Sequence, residues 1–175
     1  MSPYAATKRA GELLLRSLAP IAGFRAAALR FFTVFGPRQR PDLAIHSFAR
    51  RMTAGEPITL FGDGTQSRDY TYCDDITAGV VAAVDWTADA SAGLEIFNLG
   101  GSHPVPLREL VSELSGALGI EPEIRWAAMQ PGDVQHTWAD LTKSEAALGF
   151  RPRTSFRDGI RLFADWFQDR HARQP

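Results

Sequence analysis

Tyr4 and Lys8 stand four residues apart in Pro3-Tyr4-Ala5-Ala6-Thr7-Lys8, a spacing that sets a phenol and an ammonium on one face of a helix. A cation beside a phenol favours the phenolate. Such a pair can take a proton from an alcohol near neutral pH, which is what oxidising a hydroxyl to a ketone requires. The local sequence supports the helix. Pro3 suits a first turn, where its missing N–H costs nothing. Ala5, Ala6, Arg9 and Ala10 are good helix formers, and Leu13, Leu14, Leu15 and Leu18 supply apolar faces beyond them. The spacing by itself is common on ordinary surface helices.

The full stretch Ser2-Pro-Tyr-Ala-Ala-Thr-Lys-Arg-Ala-Gly-Glu12 resembles the catalytic helix of the extended short-chain dehydrogenase/reductases, the NAD-dependent epimerases and dehydratases of nucleotide sugars. The resemblance implies that Tyr4 is the acid/base. It implies that Lys8 holds the nicotinamide ribose and eases ionisation of the Tyr, so both residues also meet the cofactor, NAD. It further implies a dinucleotide-binding half ahead of this helix, including a Ser or Thr partner for the Tyr. Only three residues precede Tyr4, and no Gly-x-Gly-x-x-Gly or Gly-x-x-Gly-x-x-Gly loop opens a helix after a strand. The expectation is the back half of an enzyme, with the N-terminal dinucleotide-binding half absent.

Composition sets wider bounds. At 175 residues and 45% hydrophobic content the chain can bury a core. A net charge of -1 gives no general argument for nucleic acid or membrane binding, so an anionic ligand must be met by local arginines. No apolar run approaches the ~20 residues that span a bilayer. A single cysteine, Cys73, excludes an internal disulfide and suits a reducing cytoplasm. The four histidines are scattered without metal-ligand spacing.

Along the chain, Arg25–Phe32 reads as a buried parallel strand. It delivers Thr33-Val-Phe-Gly-Pro-Arg-Gln-Arg-Pro-Asp42 as a loop beyond a strand's carboxyl end, where open parallel sheets collect ligands. With the preceding Leu-Arg-Phe-Phe this loop resembles that of UDP-glucuronate 4-epimerases. The resemblance implies that Thr33 and Arg40 grip a sugar carboxylate, and a guanidinium can indeed hold one through two parallel hydrogen bonds. Epimerases of neutral sugars usually carry Asn where Thr33 stands. A helix is expected from Ala44 to Ala54, with Phe48 in the core. Asp63-Gly64 between Ile58–Phe61 and Gln66–Tyr72 signals a hairpin. The block Gly62-Asp-Gly-Thr-Gln-Ser-Arg-Asp-Tyr70 resembles one whose Arg, here Arg68, clamps the nucleotide diphosphate.

Asp74 or Asp75 is expected to cap a helix from about Ile76 to Trp86, with Ile76, Val80, Val81 and Val84 as its core stripe. Glu95–Leu99 reads as a second buried strand, Leu107–Leu118 as a helix closed by Gly119, and Glu123–Trp126 as a short strand. Pro131-Gly-Asp133 resembles the motif whose Asp, here Asp133, binds the nucleotide ribose; Gln130 replaces an Arg that many members carry. Thr142-Lys-Ser-Glu145 reads as a capping box for a helix ending at Gly149. Phe156–Arg170 reads as an amphipathic helix.

The expected fold is α/β: the C-terminal part of a Rossmann-like parallel sheet plus a small α/β nucleotide-sugar-binding domain. Residues 1–43 and 94–101 would belong to the former, 44–93 and 102–175 to the latter. The resemblance implies an NAD-dependent epimerase acting on a UDP-hexuronate through a 4-keto intermediate, and the isolated chain is expected to be inactive. Alternatives are a dehydratase or decarboxylase of the same family, or a non-catalytic UDP-sugar-binding remnant. The strands at Arg25–Phe32 and Glu95–Leu99 would lose their parallel neighbours, so a partner is expected. In the family the Tyr helix packs in a dimer interface, which implies a homodimer.

Overall fold

The computed structural model describes residues 3–88, 93–129 and 134–172. Helix α1 (Pro3–Ala22) stops where Gly23 turns left-handed (φ 72°), and the Phe24 N–H donates to the Ala19 carbonyl at 3.1 Å. Strand β1 (Arg25–Phe31) then pairs in parallel with β5 (Gly93–Leu99), from Arg25 opposite Gly93 to Phe31 opposite Leu99. Each strand is thus the other's parallel neighbour, and in this two-stranded sheet the outer edge of each has no strand partner among the described residues. Successive side chains of a strand point to opposite faces. Arg30 accordingly meets Glu12 of α1, while Leu29 joins an apolar cluster with Leu99, Ile76 and Phe150 on the other face.

At Phe32 the chain changes sheets. The Phe32 N–H still donates to the Leu99 carbonyl, but β2 (Thr33–Phe35) runs parallel to β4 (Ser67–Tyr72), with Thr33 opposite Tyr70. The expected loop therefore begins as a strand. β4 also pairs antiparallel with β6 (Pro104–Pro106), and β3 (Ile58–Phe61) pairs in parallel with β7 (Ile124–Ala127).

The hairpin expected at Asp63-Gly64 does not form, because β3 and β4 lie in different sheets. Asp63 Oδ1 accepts from the Thr65 N–H and hydroxyl at 3.0 and 2.6 Å. Arg108, at the start of α4 (Leu107–Leu118), donates from Nε to the Asp63 carbonyl at 2.7 Å. The turn closes on itself and on α4, and β4 is sent to β6 instead. Gly64 has φ 79°, and a Cβ there would sit 2.6 Å from Arg108 Cγ, so only glycine fits this approach.

The main core lies between α2 (Ala44–Thr53), α4 and α6 (Phe156–Ala172), with Ile45, Leu60, Leu110, Leu114, Ile160 and Phe163 fully buried. Helix α3 (Cys73–Thr87) starts earlier than expected, and neither Asp74 nor Asp75 caps it. Tyr72 holds the N-cap position without a side-chain bond. Both aspartates lie in the first turn, where the helix dipole favours negative charge. Asp75 reaches away to accept the N–H groups of Arg153 and Thr154 at 3.1 and 3.0 Å.

The inner face of α3 is Ile76, Gly79 and Ala83, with Phe150 seated so closely on Gly79 that a Cβ would meet its ring at 2.7 Å. Val81 and Val84, expected in the core, are exposed. In α5 (Thr142–Leu148) the capping box is replaced. Asp140 Oδ1 accepts from the Thr142 N–H and hydroxyl at 3.0 and 2.7 Å, while Glu145 pairs with Arg151 at 2.7 Å. Gly149, left-handed at φ 63°, ends the helix as read. Among the described residues no helix is long and apolar enough to cross a membrane.

Candidate functional site

Tyr4 and Lys8 meet on α1 as their spacing requires. The Lys8 ammonium lies 5.4 Å from the centre of the Tyr4 ring, and Tyr4 is 70% exposed. The Thr7 hydroxyl donates to the Tyr4 carbonyl at 2.8 Å within the first turns. The helix is held to the sheet by Glu12. Its carboxylate accepts from Arg30 Nε and a terminal nitrogen at 2.7 Å each, and from Arg9 at 2.6 Å. These bonds, Arg30's first, bring the Glu12 carboxyl from the ordinary 4.5 down to about 2.

A groove of about 320 Å³ opens between α2, β3, β4 and β6. Phe48, Phe61 and Tyr70 give it aromatic walls, and Arg68 gives it a cation. Burial pushes the Tyr70 phenol up to about 12, so it remains a neutral hydroxyl. Gln66 donates from Nε2 to the Phe61 carbonyl at 2.6 Å, while its Oε1 is buried with no partner among the described residues. Phe48, read from the sequence as core, does both jobs: it packs on the main core and lines the groove.

Arg68 is braced against the segment that follows residue 133. It donates to the Ser67 and Gln135 carbonyls at 3.0 and 3.4 Å. The Ser67 N–H also donates to the Gln135 carbonyl at 2.9 Å, and the Thr137 N–H to the Ser67 carbonyl at 3.2 Å. Asp133 itself lies outside the described residues, as does Gln130.

Asp69, to which the sequence reading gave no role, is the anchor of this region. Fully buried, its carboxylate accepts the N–H groups of Gly101, Ser102 and Ala139 at 2.6, 3.0 and 2.8 Å. It ties β4 to the end of β5 and to the segment leading into α5. Its place beside Arg68 in the quoted Arg-Asp-Tyr block was the available signal.

Thr33 and Arg40 are not among the groove's lining residues. Thr33 sits in β2 opposite Tyr70, and Arg40 is an exposed side chain paired with Asp42 at 2.9 Å. Asp42 does line the groove, so Arg40 stands at its rim. The structure thus joins Tyr4 to Lys8 and sets Arg68 in a groove with Arg40 beside it. Tyr4 and Lys8 are not part of that groove.

The described residues thus form a parallel two-stranded sheet carrying the Tyr–Lys helix, beside an α/β unit with an aromatic, arginine-bearing groove. Residues 1–100 match the profile of the NAD dependent epimerase/dehydratase family. The chain belongs to that family, whose members are NAD-dependent enzymes. UDP-glucuronate 4-epimerase of Thermodesulfobacterium geofontis is 36% identical over 170 residues, covering 97% of this chain and 51% of that protein. The crystal structure of UDP-glucuronic acid 4-epimerase from Bacillus cereus, in complex with UDP-glucuronic acid and NAD, superposes with a TM-score of 0.87 at 37% identity. It covers 96% of this chain and 53% of the other. UDP-glucose 4-epimerase from Thermotoga maritima with UDP-glucose gives the same TM-score at 30% identity, covering 98% and 55%. The chain spans about half the length of the relatives it matches. Its fold is the C-terminal half of theirs.

Proposed function

We propose that this chain is the nucleotide-sugar side of an NAD-dependent 4-epimerase acting on a UDP-hexuronate, UDP-glucuronate to UDP-galacturonate. The observation that carries the reading is the groove: aromatic walls and one braced guanidinium suit a base and a diphosphate. Arg68 would clamp the diphosphate and Asp133 the ribose. Thr33, in β2 opposite Tyr70, and Arg40, at the rim, would hold the sugar carboxylate, with Arg40 exchanging Asp42 for the ligand. Of the family's sugars, the resemblance of the Thr33–Asp42 loop favours the uronate.

Tyr4 would accept the proton of the C4 hydroxyl as that carbon is oxidised, and return it when the 4-keto sugar is reduced from the opposite face. Lys8 would stabilise the phenolate and face the nicotinamide ribose. The chemistry a bound nicotinamide supplies is reversible hydride acceptance. The residues of this chain fit that group at its ribose only, since among the described residues no glycine-rich loop opens a helix after a strand. The division into residues 1–43 with 94–101 and 44–93 with 102–175 belongs to this proposal. So do a cytoplasmic setting and a homodimer through α1, whose Leu14, Leu18 and Ile21 stand exposed.

Calorimetric titration of the chain with UDP-glucuronate, UDP-glucose and NAD in parallel tests the reading. The expected result is binding of UDP-glucuronate above UDP-glucose and none of NAD. Equal binding of the two sugars would remove the uronate assignment, leaving a dehydratase or neutral-sugar epimerase. No binding of either would overturn the nucleotide-sugar groove.

A further inference from the structure

The other side of α2 carries a second cavity, of about 440 Å³, formed with α6 and the loop after β2. Three arginines converge on it: Arg38 from the loop, Arg50 from α2 and Arg170 from α6. Both helices present the same pattern, an aromatic ring followed four residues later by a guanidinium: His46 and Arg50, then Trp166 and Arg170. The floor is aromatic, with the His46 ring edge-on to Phe163, Trp166 and Phe167 at 5.9, 5.8 and 5.5 Å between centres. Arg38 reaches the cavity from a left-handed backbone (φ 65°), unusual for a residue with a Cβ.

Many arginines elsewhere on the described surface are paired with acids. Arg9, Arg30, Arg40, Arg51, Arg125, Arg151 and Arg157 each lie within 4 Å of a carboxylate. Among the described residues Arg38, Arg50 and Arg170 have no such partner, and no carboxylate lines the cavity. Three like charges around one cavity repel each other, in a chain whose acids and bases nearly balance. A bound anion would offset that repulsion. A carboxylate is satisfied by one guanidinium, whereas a phosphate offers oxygens in several directions and matches forks arriving from three elements. Gln39 braces the loop that carries Arg38, its Nε2 donating to the Val34 carbonyl at 3.1 Å.

We propose that this cavity is a second ligand site, separate from the groove at Arg68, that takes a small phosphate-bearing molecule. Arg38, Arg50 and Arg170 hold the phosphate, and the His46 and Trp166 rings flank the remainder of the molecule. The Gln39 carbonyl lies 2.7 Å from His46 Nδ1, and Arg40 follows in the same loop. Occupancy would therefore bear on the rim of the first groove.

The test is titration of the Arg68→Ala chain with inorganic pyrophosphate, by calorimetry and tryptophan fluorescence, with inorganic phosphate as the weaker comparison. The Arg68→Ala background removes the cation of the first groove, so failure there and failure here are separable. Expected is saturable binding of one pyrophosphate per chain. It should weaken at least tenfold in Arg50→Gln/Arg170→Gln and severalfold in Arg38→Gln. The three arginines are exposed, and circular dichroism verifies that the variants fold. If the double variant does not fold, Arg50→Lys should still weaken binding, since it keeps the charge and loses the fork. Absence of pyrophosphate binding in Arg68→Ala would overturn the proposal. So would binding indifferent to Arg38, Arg50 and Arg170, or binding only of anionic vesicles or oligonucleotides.

Discussion

Glu12 and Arg30 hold α1 against β1 through two parallel hydrogen bonds of 2.7 Å each, one from Nε and one from a terminal nitrogen. Because Tyr4 and Lys8 ride on the same helix, this pair sets where the face proposed for acid/base work lies relative to the sheet.

Its pH dependence follows from the Glu12 shift. The carboxyl binds its proton more weakly folded, at about 2, than at its ordinary 4.5. Between those values the unfolded chain takes up more protons, so acidification removes stability. The contribution is fully present above about pH 5 and is lost as pH falls through about 2. Glu12→Gln should cost on the order of 1 kcal/mol at pH 7 and little at pH 2. Urea midpoints at the two values would measure this.

Asp69 is a more demanding position. Asp69→Ala leaves three N–H donors without their acceptor in a dry setting, at a cost of about 3 kcal/mol or more. Asp69→Asn keeps the shape but presents an amide donor to N–H groups, and about 2 kcal/mol should be lost. Both should unfold at lower urea than the parent. An unchanged midpoint for Asp69→Ala would mean that water replaces the carboxylate.

At the groove rim, Asp42→Asn releases Arg40 and removes a negative charge from the lining. Affinity for UDP-glucuronate should rise severalfold while that for UDP-glucose stays put. Arg40→Ala should erase the preference between the two. Parallel titrations check both, and equal losses on the two sugars with Arg40→Ala would refute the carboxylate role.

The exposed ridge on α1 gives a fourth expectation. Leu14→Glu with Leu18→Glu should convert a self-associating chain into a monomer by light scattering, without lowering its helix content. A parent chain that is already monomeric would remove the proposed homodimer.

The sequence made the helices and their glycine stops legible, because apolar spacing and left-handed residues such as Gly119 and Gly149 act locally. The Tyr4–Lys8 pair was legible for the same reason. Strand partners were not. The Asp63-Gly64 signal is a local preference, and the Arg108 bond that overrode it comes from much later in the chain. Val81 and Val84 have the right spacing for a core stripe, but Phe150 packs on Gly79 and fixes the opposite face inward. Asp69 drew no role from the sequence, since nothing local reveals that three distant amides converge on it.

The absent hairpin also bears on how the chain reaches this structure. Strands β1, β2, β3 and β4 each find their partners after long excursions through intervening helices. Loops of that length must close before any sheet contact rewards them, which makes folding slow. On a ribosome, β1 waits for β5 and β3 for β7 while the leucines of α1 are already out. During the interval between those events the apolar strand faces stand uncovered, and association with other chains competes with folding.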